Sequence, residues 1–313
     1  MKKPGMAAWI AALFLAPVLA HVSAQSLGQG QAVVTVLPKA EGQPVPPSVS
    51  QQDLAVKVNG KNAKVTQWAP FQAPNDQIEL VILIDGSART SLGRQMEDIE
   101  KFVNGLPPNV TAGIAYMENG RALFAGPLTT DHAQVLKNLH LTGGGAGIAG
   151  SPYFCLSDLA KKWPGQSAAA RREVVMVTDG VDNYDRRYDP EDPYVDAAIT
   201  DAARARLVVY AIYWKSQGFA DQTQGANDAG QNLLAQVAEA TGGKSFWQGM
   251  GNPVSFQDYF NDLTRRLRNQ YELGFTSTET SKSGVEELQL KLHAPGTEID
   301  SPKRVLVVSG GQN

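Results

Sequence analysis

Ile78-Glu79-Leu80-Val81-Ile82-Leu83-Ile84-Asp85 and Val174-Val175-Met176-Val177-Thr178-Asp179 decide the fold, because each is an aliphatic run of strand length that ends on an aspartate. A strand with one wet face alternates apolar and polar side chains. An almost unbroken run suits a strand covered on both faces, as in the middle of a parallel sheet. Leu207–Tyr213 is a third run of this kind, and residues 111–116 are a weaker fourth. Between the runs, Leu92, Met96, Ile99, Val103 and Leu106 recur at helical spacing, with Thr90 or Ser91 as cap and Gly105-Leu106-Pro107 as stop. Asp192-Pro193 is a cap followed by proline at the first helical position. Leu233, Leu234, Val237 and Ala238 mark another helix, and Phe256, Tyr259, Phe260, Leu263 and Leu267 a last one. Strands alternating with helices predict an α/β fold with a doubly wound, mostly parallel sheet and helices on both faces.

Outward from this centre the pattern turns to short strands. Leu54-Ala55-Val56-Lys57-Val58 and Lys61-Asn62-Ala63-Lys64-Val65 are joined by Asn59-Gly60, a pair that favours a two-residue type I′ hairpin because both turn positions need positive φ. On the other side Tyr271, Leu273 and Phe275 alternate, as do Leu288, Leu290 and Leu292, and residues 305–308 form a final run. The expected plan is a signal peptide over 1–24, a linker with N-terminal strands over 25–74, the α/β domain over 75–268, and C-terminal strands over 269–313. The two flanks are expected to pair into one small β domain, the alternative being that each extends the central sheet.

Lys2-Lys3, the apolar run 7–20 and Val22-Ser23-Ala24 read as a cleaved export signal. This predicts a periplasmic or extracellular protein. The run is shorter than the ~20 residues of a membrane span, and no transmembrane segment is expected in the mature chain. A formal net charge of −3 with mixed signs lacks the concentrated basic face of a nucleic-acid binder. Cys155 is the single cysteine, so neither an intrachain disulfide nor a cysteine-rich zinc cage can form. As a free cysteine it is expected to be a buried small hydrophobe, and Trp163, Trp214 and Trp247 are expected in the core.

In an open parallel sheet, ligands bind beyond the carboxyl ends of the strands, where the strand order reverses. Asp85 and Asp179 both fall at that edge, and two carboxylates brought together need a cation or donors between them. Here the residues resemble a known family. Ile84-Asp85-Gly86-Ser87-Ala88-Arg89 resembles the Asp-x-Ser-x-Ser start of the metal-ion-dependent adhesion site of von Willebrand factor type A (VWA) domains, and Val177-Thr178-Asp179-Gly180-Val181-Asp182-Asn183 resembles the strand that carries its distal aspartate. With the ending Asn269-Gln270-Tyr271-Glu272-Leu273-Gly274-Phe275, the mature chain is similar to bacterial exported VWA-related proteins. The resemblance implies a VWA-like, Rossmann-like domain and an adhesion-like binding role.

It also implies a magnesium site of Asp85, Ser87 and Asp179, with Ser151 as the best match for the family's threonine. Arg89 departs from the pattern, standing at the second serine, and arginine neither ligates nor loses its charge. Pointed inward, its guanidinium bridges Asp85 and Asp179 and takes the ion's place. Pointed outward, it leaves room for Mg2+, Mn2+ or Ca2+. The arginine substitution is the preferred expectation, which makes the site a degenerate one.

The loop after Asp179 interleaves Asp182, Asp185, Asp189, Glu191, Asp192 and Asp196 with Tyr184, Tyr188 and Tyr194. It lacks the order of an EF-hand calcium loop. A solvated acidic surface is the plain reading; Asp182, Tyr184, Asp185, Tyr188 and Tyr194 as a partner-recognition loop is the functional one. Catalytic motifs are scarce. Gly145-x-Gly147-x-x-Gly150 has the form of a dinucleotide fingerprint but not its setting, since it follows no strand and Glu173 begins a strand where an acid should end one. No Gly-x-Ser-x-Gly or His-Glu-x-x-His occurs, and His132 and His140 are too far apart for i, i+4 ligation. A phosphatase-like use of Asp85 as nucleophile would want an acid at position 87, where Ser87 stands. The expected function is therefore not enzymatic: an exported module that binds a protein or other macromolecule through the carboxyl-end crest. The alternatives are a structural envelope component with a silent crest and, behind it, an aspartate-based hydrolase.

Overall fold

The computed structural model describes residues 27–39, 48–71, 76–87, 89–141, 150–167, 169–185, 189–215, 224–249, 251–277 and 282–310, without the side chains of 89–91 and 224. The strands are β1 (Gly28–Pro38), β2 (Leu54–Val58), β3 (Lys61–Pro70), β4 (Ile78–Asp85), β5 (Val110–Glu118), β6 (Arg121–Phe124), β7 (Arg171–Thr178), β8 (Leu207–Tyr213), β9 (Ser245–Phe246), β10 (Gln270–Ser277), β11 (Gly284–Leu292), β12 (Thr297–Asp300) and β13 (Arg304–Ser309). The helices are α1 (Met96–Asn104), α2 (His132–Leu136), α3 (Pro152–Lys161), α4 (Pro193–Ala205), α5 (Gln224–Thr241) and α6 (Gln257–Arg268). The expected signal peptide over 1–24 lies outside the described residues.

The expectation of a doubly wound, mostly parallel α/β fold with a small β appendage is overturned by the larger of the two sheets. Its strands run in the order β10-β3-β2-β11-β13-β1, and β1 pairs back onto β10, so six strands close into a barrel, with β12 added along the far end of β1. Every pairing in it is antiparallel. Of the twelve strand pairings among the described residues, only four are parallel. The physical reason is register over long range. Gly28 stands opposite Ser277 and Thr35 opposite Gln270, partners that no local pattern can announce.

The barrel closes around its own core. Val34, Val36, Val56, Leu273, Phe275, Leu288, Val305 and Val307 fill the interior. Gly30 makes room for the largest of them, because a Cβ there would fall 2.3 Å from the Phe275 ring. The Asn59-Gly60 turn links β2 and β3 with φ of 48° and 75°, the left-handed pair that a type I′ hairpin requires.

The second sheet has the order β6-β5-β4-β7-β8-β9, with β6 antiparallel at its edge. Its odd and even strand positions feed two cores. On one face Ile82, Ile84, Ile114, Val175 and Val177 meet Ile99, Phe102, Val103, Phe260 and Leu263 of α1 and α6. On the other, Val81, Leu83, Val174, Met176 and Val209 meet α3, α4 and α5 through Leu156, Leu159, Val195, Ala198, Leu233 and Val237. Burial on both faces explains why these strands read as continuous aliphatic runs. The chain leaves β4 to build β5 on one side and returns to build β7 on the other, so the carboxyl ends of β4 and β7 lie side by side below diverging loops.

Barrel and sheet are held together by buried ions. Arg171, at the amino end of β7, donates to both carboxylate oxygens of Asp76 at 2.6 Å, to the Leu267 carbonyl at 3.0 Å and to the Gln270 side chain, and lies 4.5 Å above the Phe71 ring. Arg266, also buried, joins Asp262 of its own helix to Asp300 of β12. The three cations Arg266, Arg265 and Lys244 around Asp262 outweigh its burial and hold its carboxyl well below the usual range.

Candidate functional site

The crest between β4 and β7 is held by short-range hydrogen bonds to its aspartates. Asp85 is buried, and its Oδ1 accepts from the Ser87 amide at 2.8 Å and the Ser87 hydroxyl at 2.7 Å. Its Oδ2 accepts from the Thr178 hydroxyl at 2.6 Å. Thr178 is the residue that sequence reasoning missed. It was legible only as the last residue of an aliphatic strand, yet its hydroxyl supplies one of the donors that Asp85 was expected to need. Asp179, buried, accepts from the Val181 amide at 3.0 Å. Its carbonyl lies against Gly230 of α5, where a Cβ would come within 2.2 Å. Gly180 follows with φ +69° and faces the Gly230 carbonyl. Two glycines thus let α5 press directly on the turn that carries Asp179.

Ser151 is not part of the Asp85 network. It caps α3, accepting from the Phe154 amide at 3.4 Å, and donates to Asp182 Oδ2 at 3.0 Å. Asp182 was expected on a displayed loop. It is buried instead, and its Oδ1 takes the amides of Tyr184 and Asp185 at 2.7 and 3.2 Å. Burial raises its carboxyl pKa, and those amides and the Ser151 hydroxyl pull the other way. Asp182 is therefore the post that fixes the loop. The reason is the short reach of aspartate, which hydrogen-bonds its own backbone two or three residues on. Asp185 is half-buried. Tyr184 and Tyr194 do reach the surface region, where they and Phe154 form a trio of rings with centroids 4.9 to 5.4 Å apart. Tyr188, the glycines 143–147 and the Arg89 side chain lie outside the described residues.

This arrangement does not fit a divalent ion. Calcium and magnesium ask for about six oxygen ligands, whereas the Asp85 oxygens accept from Ser87 and Thr178 and the Ser151 hydroxyl is turned to Asp182. A void of about 10 Å³ lies among Asp85, Gly150, Ser151, Cys155 and Asn183, no larger than the minimum for one water. Among the described residues no group of three or more His, Cys, Asp or Glu side chains could hold a metal.

Cys155 borders that void and is buried. Burial, reinforced by Asp85 and Asp158, pushes its thiol up to about 12. The thiolate is the reacting species, so the native protein is expected to release no thionitrobenzoate from Ellman's reagent at about pH 8 on the time scale of model thiols. After unfolding in guanidinium it should release one equivalent, matching its one cysteine. Prompt reaction of the folded protein would show that the void opens to solvent.

Large apolar side chains gather on the crest surface. Leu141 (40% exposed), Tyr184 (54%), Trp247 (46%) and Val254 (89%) are four of the seven exposed large hydrophobics among the described residues. All four belong to loops at the carboxyl ends of the strands. The Leu141 side chain approaches Gly93 in the segment after β4, Trp247 follows β9, and the Val254 carbonyl accepts from Gln95 at 3.1 Å. Trp247 was expected in the core. It leaves the core because β9 is only two residues long, and the chain turns outward at its end.

No family model matches the chain, and no curated protein does. Among solved structures it is similar to a serine-substituted aerotolerance-related membrane protein from Bacteroides fragilis NCTC 9343, at 16% identity and a TM-score of 0.41, over 61% of this chain and 98% of that one. It is also similar to BatB, a conserved hypothetical protein from Bacteroides thetaiotaomicron, at 15% identity and a TM-score of 0.40, over 61% and 97% of the two chains. A third is the pilus adhesin SpaC from Lactobacillus rhamnosus GG in its open conformation, at 9% identity and a TM-score of 0.44, over 88% and 49%.

Proposed function

We propose that this chain is an exported, VWA-related binding module that meets a protein or other macromolecule through its crest without a metal ion. The observation that carries the reading is the grouping of Leu141, Tyr184, Trp247 and Val254 around one end of the sheet. Exposed apolar side chains scattered singly are ordinary, but a concentration on one face is the usual mark of an interaction surface, and aromatic residues are enriched in such surfaces. The internal pairing of Asp85 with Ser87 and Thr178 supports the metal-free form of the reading. The same pairing favours binding over aspartate-based hydrolysis, since both oxygens of the would-be nucleophile are occupied. Export rests on the N-terminal sequence. Among the described residues, no helix is long and apolar enough to cross a membrane.

The test is site-specific photocrosslinking in the producing bacterium. Benzoylphenylalanine placed at Tyr184, Trp247 or Val254 is expected to give discrete adducts, unchanged by a metal chelator. The same probe at Leu27 or Val308, exposed on the barrel where β1 meets β13, is expected to give none. Equal labelling from all five positions, or adducts only from the last two, would sink the crest reading and favour a structural envelope component that docks elsewhere. Adducts lost on chelation would restore the metal-dependent mechanism.

A further inference from the structure

A cleft of about 780 Å³ separates the outer face of the barrel from the amino end of the six-stranded sheet, on the side of the molecule away from the crest. Its walls are largely small or apolar: Ala69 and Phe71 from the barrel side, Ala170, Leu207 and Val208 from the sheet. This is the size and character of a small-ligand site between two packed bodies. The charges in it are not all accounted for. Arg171 is paired with Asp76, and Arg304 with Asp196. Two groups remain that, among the described residues, meet only neutral amides. Arg206 donates to the Gln31 side chain at 2.6 Å, and Glu272 accepts from the Gln67 side chain at 2.7 Å.

These two groups are neighbours. Gln31 and Val33 lie two apart on β1, and Val33 stands directly opposite Glu272 on β10, so Gln31 and Glu272 are diagonal partners on the barrel's outer face, about 7–8 Å apart at Cα. Arg206 reaches this face from the end of α4, where it holds a left-handed backbone at φ 58°. Glycine is the unstrained residue at such a helix end. One cation and one anion therefore border the same apolar cleft, a short span apart, each with hydrogen-bonding capacity to spare.

We propose that the cleft binds a short apolar peptide with free ends, its carboxylate on Arg206 and its ammonium group on Glu272. A simple amphiphilic anion suits the cleft less well, because Glu272 would repel it. A single amino acid would leave most of the cleft's volume of about 780 Å³ unfilled. The proposal is independent of the crest and of any partner bound there.

Calorimetric titration of the full-length mature protein with Ala-Leu-Ala tests it. The free tripeptide is expected to bind, and N-acetylation or C-amidation should each weaken binding by about tenfold or more, the worth of one hydrogen bond to a charged group. Arg206→Gln should bind the free and amidated peptides equally while still discriminating against acetylation. Glu272→Gln should show the converse. Ala69→Trp and, separately, Ala170→Trp fill the cleft from opposite walls and should each abolish binding, with circular dichroism confirming the fold. Absence of binding by the unmodified protein overturns the proposal. So does equal binding of free and doubly blocked peptide, or binding that survives both tryptophan substitutions.

Discussion

Arg171→Met is expected to destabilise the protein by about 3–5 kcal/mol, the cost of removing one partner from a buried ion pair. The arginine is 2% exposed and Asp76 is 11% exposed at the side chain, so water cannot take the place of the lost guanidinium. The substitution strands the Asp76 carboxylate, the Leu267 carbonyl and the Gln270 amide oxygen together, because one planar fork serves all three. Methionine keeps the stem and its packing beside Phe71, which confines the loss to the charge and its hydrogen bonds. The double variant Arg171→Met/Asp76→Leu should recover much of the loss, since a buried ion pair exchanged for apolar residues of similar volume is often close to neutral. Urea unfolding of the four proteins of this cycle gives the coupling directly. A single variant within about 1 kcal/mol of the parent, or a double variant worse than the single, would show that Arg171 does not bind the barrel to the sheet.

Glu173 is expected to make the protein less stable as the pH rises, and Glu173→Gln to remove that dependence. Two residues beyond Arg171 on the same strand, Glu173 is fully buried, with the Gln270 side chain close by but no donor in good hydrogen-bonding geometry at either carboxylate oxygen among the described residues. Burial pushes the carboxyl from 4.5 up to about 8, with Arg171 and Gln270 pulling the other way. The folded state therefore holds the neutral acid more firmly than the unfolded chain does. The stability linked to that proton is whole below about pH 4.5 and is lost as the pH rises through about 8. Each tenfold difference in proton affinity between the two states is worth about 1.4 kcal/mol, so the effect is on the order of a few kcal/mol. Glutamine has the shape of the neutral acid and cannot ionise. Its variant should match the parent near pH 5 and exceed it by a few kcal/mol near pH 9. Urea midpoints for both proteins across this range check it, because every other titrating group cancels in the difference. Parallel profiles would mean that Glu173 is charged and solvated, or partnered, in the folded protein.

These two residues show where a sequence stops speaking. The sequence alone determined what is local: the aliphatic runs ending at Asp85 and Asp179, the left-handed turn at Asn59-Gly60, and the helix start at Asp192-Pro193. Each is set by the conformational preferences of a few adjacent residues or by the burial pattern of one strand. Tertiary structure decided what depends on distant partners. The flanks close into a barrel because Gly28 meets Ser277 and Leu288 meets Val58, pairings whose weakly alternating strands carry no address for each other. At the crest, the two aspartates could be read as a pair in need of donors, but the donor is Thr178, which looked like the end of a core strand. Ser151 and Asp182 satisfy each other rather than a metal. Likewise, Arg171 and Glu173 look alike in sequence, two charges opening a strand. Only the fold brings Asp76 to the one and leaves the other a buried acid, because the free energy of a charge is set by the groups and the water that the fold leaves around it.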